Sequence, residues 1–418
     1  MPVVHVVGAG LAGLAAAVTL AGAGRAVLLH EAGAQAGGRC RSYFDRELGC
    51  RIDNGNHLLL SGNRAVMSYL GAIGATNSLT GPASPRFPFL DLASGERWTI
   101  ELSRGSWPGW IWDPERRVPG TGALDYLGIC KLAWAAGDLT VAQALGGHGR
   151  VYDLLWRPFA VAALNTEAES ASARLLWQVV RESLGRGGAA CRPLVPRVGL
   201  SESLVDPALR FLNDRDMGVQ LGRRLRRVAF VGSRVASLDF GDGAVDLGDG
   251  DDLILAVPAA VAADLVPEQT VPTEHRAIIN AHYRMSLSSH ELGAAGMLGL
   301  TGGLVEWIFV KREVISTTIS AGDRQVDRPA EELAGAIWKE VARALDLDRD
   351  RMPPWRVVKE RRATFAATPP QLRRRPGPAT RWRNLWLAGD WTDTGLPGTI
   401  EGAVRSGRKA AARIVENG

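Results

Sequence analysis

Val3 to Val7 is a short, mainly apolar run rich in β-branched residues, and Ala26 to His30 is a second. Short runs of this kind read as strands buried on both faces of a parallel sheet. Between them, Leu11 to Ala23 is almost continuous alanine and leucine, the composition of a helix packed on such a sheet. The far end of the chain has the same grammar. NLWLAG, ending at Gly389, reads as a strand running into a glycine turn. After it, Pro397 and Gly398 set a turn, Thr399 is an N-cap, Glu401 falls in the first turn, and an Ala-rich helix follows.

Between the ends the pattern changes. The first long insertion carries helical patterns at DYLGICKLAWAAG, VYDLLWRPFAVAAL and ASARLLWQVVRESL, separated in places by Pro-rich loops. ASLDFGDGAVDLGDGDDLILAVP alternates as antiparallel strands and returns to an apolar run at Asp252–Pro258. The second insertion mixes strands (LVEWIFVKREVISTTIS) with the helix PAEELAGAIWKEVARALDL. The fold class expected is α/β (α+β overall). A Rossmann-like domain from residues 1–62, 197–262 and 358–418 is interleaved with a mixed sheet-plus-helix domain from 63–196 and 263–357.

Gly8, Gly10 and Gly13 form G-x-G-x-x-G between the first strand and the helix, and Glu31, followed by Ala32, closes the second strand 18 residues after Gly13. Strand, glycine turn, helix, strand and acid together are the dinucleotide-binding fingerprint. Gly8 permits the tight turn, Gly10 lets the backbone approach a pyrophosphate, and Gly13 lets helix meet strand. The first N–H groups of the helix, at Leu11 and Ala12, favour phosphate charge. Glu31 can accept from both ribose hydroxyls and would repel a 2′-phosphate. The fingerprint alone leaves NAD and FAD open.

GAGLAGLAAA, HEA and GGR near the start, taken with LAGDWT and TGLPGTIEGAVRSG near the end, resemble the FAD-dependent amine oxidase, phytoene desaturase and protoporphyrinogen oxidase superfamily. In that superfamily the G-G-R segment, here Gly37-Gly38-Arg39, brings a basic side chain toward the pyrophosphate, with Arg41 a second candidate. The resemblance implies that both chain ends build one FAD site. Asp390 after Gly389 would hydrogen-bond the ribose or ribityl chain, and the N–H groups of Thr399 and Ile400 after Gly398 would face the flavin's pyrimidine edge. Leu225 would offer a backbone contact beside the adenine. DNGNHLLLSGN, WRPFAVAALNTEAESASARLLWQVV and RRATFAATPPQLRRRP are similar to one branch, the squalene-associated FAD-dependent desaturases or hydroxysqualene dehydroxylases of hopanoid biosynthesis. In relatives the Asn54-Gly55-Asn56-His57 segment passes near the flavin ring.

The resemblance implies reductive removal of a hydroxyl from a C30 isoprenoid. Water is lost to give an allylic cation, and reduced flavin delivers hydride. The reductant comes from an external donor, since no second dinucleotide fingerprint is visible. His57, with Asn56, is the first candidate acid, against an equally good reading as a structural histidine; Asn165 and Thr166 could line the pocket or cap a helix, and Asp53 fixes a turn. A polyene desaturase would run the same flavin in the oxidative direction, and an amine oxidase would need an aromatic cage that no motif locates.

Composition narrows the partners. The 418 residues are 46% apolar and 22% charged, ordinary for a globular enzyme. Four cysteines show no C-x-x-C spacing, so neither a metal nor a disulfide framework is indicated. No signal peptide or membrane-spanning run is visible, which points to the cytoplasm. Trp98, Trp107, Trp110 and Trp112 cluster, and eight basic residues against one acid lie between Lys359 and Arg383. Core packing explains the first and a solvated face the second. The alternative is an apolar entrance resting on the inner membrane surface, where upstream squalene-pathway enzymes could be met. No nucleic-acid motif accompanies the charge.

Overall fold

The computed structural model describes residues 2–287, 296–311 and 313–417. A five-stranded parallel sheet lies at its centre, in the order Gly218–Gln220, Ala26–His30, Val3–Val7, Asp252–Leu255, Leu385–Leu387. Side chains alternate across each strand. Val4, Val6, Ile254 and Trp386 pack with the helices Leu11–Gly22 and Ile400–Asn417. Val7, Leu253, Leu255, Leu385 and Leu387 pack with Val228 and Leu238 of a three-stranded antiparallel sheet and with Phe240 just beyond its middle strand. Both faces are covered, so the strands carry apolar residues at nearly every position.

A second sheet of seven strands runs Trp355–Phe365, His275–Arg284, Val314–Ile319, Trp307–Lys311, Met297–Thr301, Arg86–Asp91, Arg97–Glu101. Neighbours are antiparallel except Met297–Thr301 with Arg86–Asp91, which are parallel. One face buries Ile279, Tyr283, Ile308 and Ile315 against Leu333, Ile337, Trp338 and Val341 of the helix Ala330–Leu345. The Tyr283 hydroxyl donates to the Ala334 carbonyl at 2.6 Å. The other face, with Asn280, Thr318, Trp307, Phe309 and Phe89, lines a cavity.

The α/β expectation and the strand–helix–strand opening agree with this architecture. Three details differ. The first insertion reads as helical, yet it supplies two strands at the sheet's edge. Residue 358, the expected segment boundary, falls inside the strand Trp355–Phe365. The helix expected at DYLGICKLAWAAG is a chain of 3-10 turns over Ala123–Trp134. There Leu124 and Leu127 face outward, so no continuous apolar stripe holds a longer α-helix.

Candidate active site

The glycine turn is fixed by space. Gly8 has φ +104°, and a Cβ on it would lie 2.5 Å from the Ala256 carbonyl oxygen. A Cβ on Gly13 would overlap the carbonyl of Gly8. At Gly10 a Cβ would meet nothing within 4 Å, so the space before the first helical turn is open. The N–H groups of Leu11 and Ala12 have no carbonyl one turn earlier to accept them. Glu31 accepts from the N–H of Ala9 and of Gly33, both at 2.7 Å. It therefore locks the turn, and each oxygen retains a lone pair for a ribose hydroxyl. The chain passes this point again where the Arg223 N–H donates to the Glu31 carbonyl at 2.8 Å. Two residues on, Leu225 is buried.

Arg39 does not stand free before the glycine turn. It pairs with Asp390 at 2.6 Å and donates to the Ala363 carbonyl. Asp390 raises the Arg39 pKa above its ordinary value. Arg41 donates to the Gly38 carbonyl. The Asp390 turn is held from its other side by Arg375, which is buried and donates to the carbonyls of Asp390, Trp391 and Thr392. Its guanidinium lies 4.6 Å from the Phe365 ring centre, and burial pulls its pKa down to about 10. The Gly389 N–H donates to Ser406 of the C-terminal helix at 2.8 Å.

Thr399 caps that helix, its hydroxyl accepting from the Gly402 N–H at 3.1 Å. Gly398 is not among the residues with positive φ. What excludes a side chain there is room: a Cβ would lie 2.9 Å from the Thr364 Cβ and 3.1 Å from Asp390 Oδ2. Glu401 accepts from the N–H groups of Ala65 and Val66, both at 3.0 Å, at the start of the helix Arg64–Ala72. It also meets Arg405 at 3.1 Å, and Arg405 forms a two-pronged pair with Glu182.

These elements bound a cavity of about 390 Å³. Asn54, Gly55, Asn56 and His57 form one side, Gly398, Thr399 and Ile400 another, and Phe87, Phe89, Trp110, Trp156, Trp307 and Phe309 an apolar wall. Burial pushes His57 down to about 4, so it is neutral at neutral pH, and a neutral imidazole is a poor acid. The Asn56 Nδ2 donates to Thr318 Oγ1 at 3.1 Å, while its buried Oδ1 has no partner among the described residues. Asn165 both caps and lines: it ends the helix Arg157–Leu164 with φ 47°, and it faces the cavity. Thr166 is tied to the Ala367 N–H at 3.0 Å. Asp53 accepts from Ser42, the Leu200 N–H and Lys311. Burial alone would raise its pKa, but Lys311 and the hydrogen bonds hold it below the usual carboxylate range. Its role is structural.

Asn280, Thr318 and Glu182 are site residues that no motif announces, and Thr364 and Arg375 lie in the RRATFAATPPQLRRRP segment, whose pattern gives neither of them a role. They reach the cavity or its frame from strands and helices far apart in sequence. The tryptophan cluster divides: Trp98 and Trp110 are buried, whereas Trp107 is 74% exposed and Trp112 60%. Part of the basic stretch is paired within the chain. Arg361 pairs with Asp327 and Arg381 with Glu268, while Lys359, Arg374 and Arg375 donate to backbone carbonyls.

The arrangement suits an extended dinucleotide. There is open space before Gly10 at one end, and an unpartnered Asn56 oxygen and a helix N-terminus at the other. The family model described as flavin containing amine oxidoreductase matches residues 11–290 and 302–415. A hydroxysqualene dehydroxylase of Rhodopseudomonas palustris is 50% identical over 99% of each chain. The chain belongs to the flavin-containing amine oxidoreductases and, within them, to the hydroxysqualene dehydroxylase family. A probable zeta-carotene desaturase of Synechococcus elongatus is 24% identical over 99% of this chain and 98% of its own. Among solved structures, cyclohexylamine oxidase from Brevibacterium oxydans superposes with TM-score 0.71 at 20% identity, covering 99% of this chain and 98% of that one. The last likeness concerns the fold alone. The cofactor is FAD.

The Gly398 environment yields a test. Gly398→Val drives a side chain into Thr364 and displaces the helix start from the cavity. Loss of one preorganised donor costs about 1–3 kcal/mol. In a two-electron couple, about 1.4 kcal/mol corresponds to roughly 30 mV. The midpoint potential of the bound flavin should fall by roughly 20–65 mV in spectroelectrochemical titration. An unchanged potential in a flavin-replete variant would place this helix end away from the ring.

Proposed function

We propose that this protein is a hydroxysqualene dehydroxylase, replacing the hydroxyl of a C30 isoprenoid alcohol with hydrogen to give squalene. The observation that carries the reading is an aromatic-walled cavity with a narrow polar rim, in a chain half identical to a protein of that name. Bound FAD, in its two-electron reduced form, supplies hydride equivalents. The C–O bond breaks, the oxygen leaves and takes up a proton to become water, and the carbon left behind gains hydride. An external donor then restores the reduced cofactor.

The chain's own part is positioning. Gly8, Gly10, Gly13, Leu11 and Ala12 would receive the pyrophosphate, with Glu31 and Ala32 at the ribose and Leu225 beside the adenine. Gly38, Arg39, Gly389 and Asp390 would hold the middle of the cofactor. Gly398, Thr399 and Ile400 would face the flavin, with Asn54, Gly55 and Asn56 opposite. The apolar wall excludes water from a cationic carbon. His57, held neutral by burial, is poorly suited to giving a proton. The segments 1–62, 197–262 and 358–418 would form the cofactor domain, with the wall contributed by 63–196 and 263–357.

A lipid surface is the proposed source of so apolar a substrate. A smaller cavity of about 130 Å³ shares Leu102, Trp110, Trp156 and Leu184 with the main one, and its lining reaches Trp107 and Leu127 at the surface. Trp112, Leu124 and Trp134 are exposed on the same two turns. Among the described residues no helix is long and apolar enough to cross a membrane, so contact would be peripheral. Trp107→Ala with Trp112→Ala should reduce cosedimentation with anionic liposomes while flavin stays bound. Undiminished sedimentation would remove these residues from any membrane contact.

Anaerobic mixing tests the reaction itself. Reduced enzyme with hydroxysqualene should return to the oxidised flavin spectrum and yield one squalene per flavin. A desaturase would leave the reduced flavin untouched and instead bleach oxidised flavin with a more saturated substrate.

A further inference from the structure

Asn280 lies on the strand His275–Arg284, directly opposite Thr318 in register, and is 2% exposed. Its amide has one orientation. The Asn56 backbone N–H stands 3.3 Å from one terminal atom and can only donate, so that atom is the oxygen. The Thr318 hydroxyl donates to the same oxygen at 3.0 Å. The other end, Nδ2, is therefore a donor, and no acceptor meets it among the described residues. It borders Gly55: a Cβ there would come within 3.1 Å of Nδ2. The missing side chain at Gly55 leaves the amide uncovered on the cavity.

The Asn165 amide and the Thr318 hydroxyl on this part of the rim are committed. Asn165 receives the Ala321 N–H at 2.7 Å on its oxygen and donates to Thr364 at 3.0 Å through its nitrogen. The Thr318 hydroxyl serves Asn280.

We infer that the Asn280 amide hydrogen-bonds the substrate's hydroxyl oxygen and stays on it as the C–O bond breaks. The inference rests on the dehydroxylation proposed above. The oxygen departs with the bonding electrons and becomes water by taking up a proton. The carbon receives hydride from the reduced flavin, which is oxidised by two electrons. The amide gives up no proton; it favours the negative charge gathering on the oxygen. A neutral donor suits this wall, because an unpaired ion buried among aromatic rings would be costly.

The test uses oxidised holoenzyme, in which no turnover occurs, and reads ligand binding by perturbation of the flavin spectrum. Wild type should bind hydroxysqualene roughly three- to tenfold more tightly than squalene, the worth of one neutral hydrogen bond. Asn280→Leu, close to isosteric but without the donor, should abolish that preference and leave squalene binding unchanged. Asn280→Ala should do the same if it folds. In single turnover of reduced enzyme the rate should fall about a hundredfold in Asn280→Leu, more than binding falls, because the donor matters most as charge develops. The flavin midpoint potential should not move. A preference retained in Asn280→Leu, no preference in wild type, or a shifted potential with the preference intact would each overturn the inference. Failure of the parent reading looks different: reduced wild type would not be reoxidised by hydroxysqualene at all.

Discussion

Arg39 and Asp390 are 351 residues apart in sequence and 2.6 Å apart in space. The Asp390 side chain is 7% exposed, and a carboxylate so placed needs a cation. Removing Arg39 would strand that carboxylate, at a smaller cost than in a fully buried pair because the Arg39 side chain is 43% exposed and partly screened by solvent. The pair can form only if the first and last strands are already in one sheet, with Asp252–Leu255 between them. The cofactor site is thus a product of the whole fold, and neither end of the chain can build it alone.

The substrate side is tied to the same frame. Glu401, in the first turn of the C-terminal helix, accepts two backbone N–H groups of the helix Arg64–Ala72 and an arm of Arg405. Arg405 reaches on to Glu182, at the end of the helix Ala173–Glu182 that helps to wall the cavity. The Arg405 hydrogen bonds draw the Glu182 pKa below the usual carboxylate range. A network of charges with fixed partners therefore holds the helix start beside the cavity against the wall that would receive the isoprenoid. Rigid placement of this kind lets a flavin reach one carbon of a long, flexible chain.

The parts legible in sequence were those whose chemistry is local. Gly8 to Gly13 and Glu31 are one turn and two strands, and residue types and spacing express them completely. The Gly389-Asp390 turn and the Thr399 cap are likewise short. The partners of these residues were not legible. Nothing near Arg39 in sequence shows that Asp390 will hold it, and nothing near Glu31 shows that Ala9 and Gly33 will occupy its oxygens. The strand His275–Arg284 places Asn280 and His282 on one face, which dilutes the apolar signal and conceals the strand together with its cavity-facing amide. The strand Arg86–Asp91 has a parallel neighbour more than 200 residues later, and local pattern cannot announce such pairing. The four clustered tryptophans look alike in sequence, yet Trp98 is buried from the strand Arg97–Glu101 and Trp110 from the turn Gly109–Trp112, while Trp107 and Trp112 are exposed.

The central claim is that one ion pair joins the chain's two ends around the cofactor. A double-mutant cycle on FAD affinity measures it, using Arg39→Met, Asp390→Asn and the combined variant, each reconstituted from apoprotein. The account predicts that each single change weakens FAD binding by roughly tenfold or more. The double variant should bind no worse than the weaker single one, since removing both charges leaves neither stranded. Full flavin occupancy in both single variants, or losses that simply add in the double variant, would contradict it.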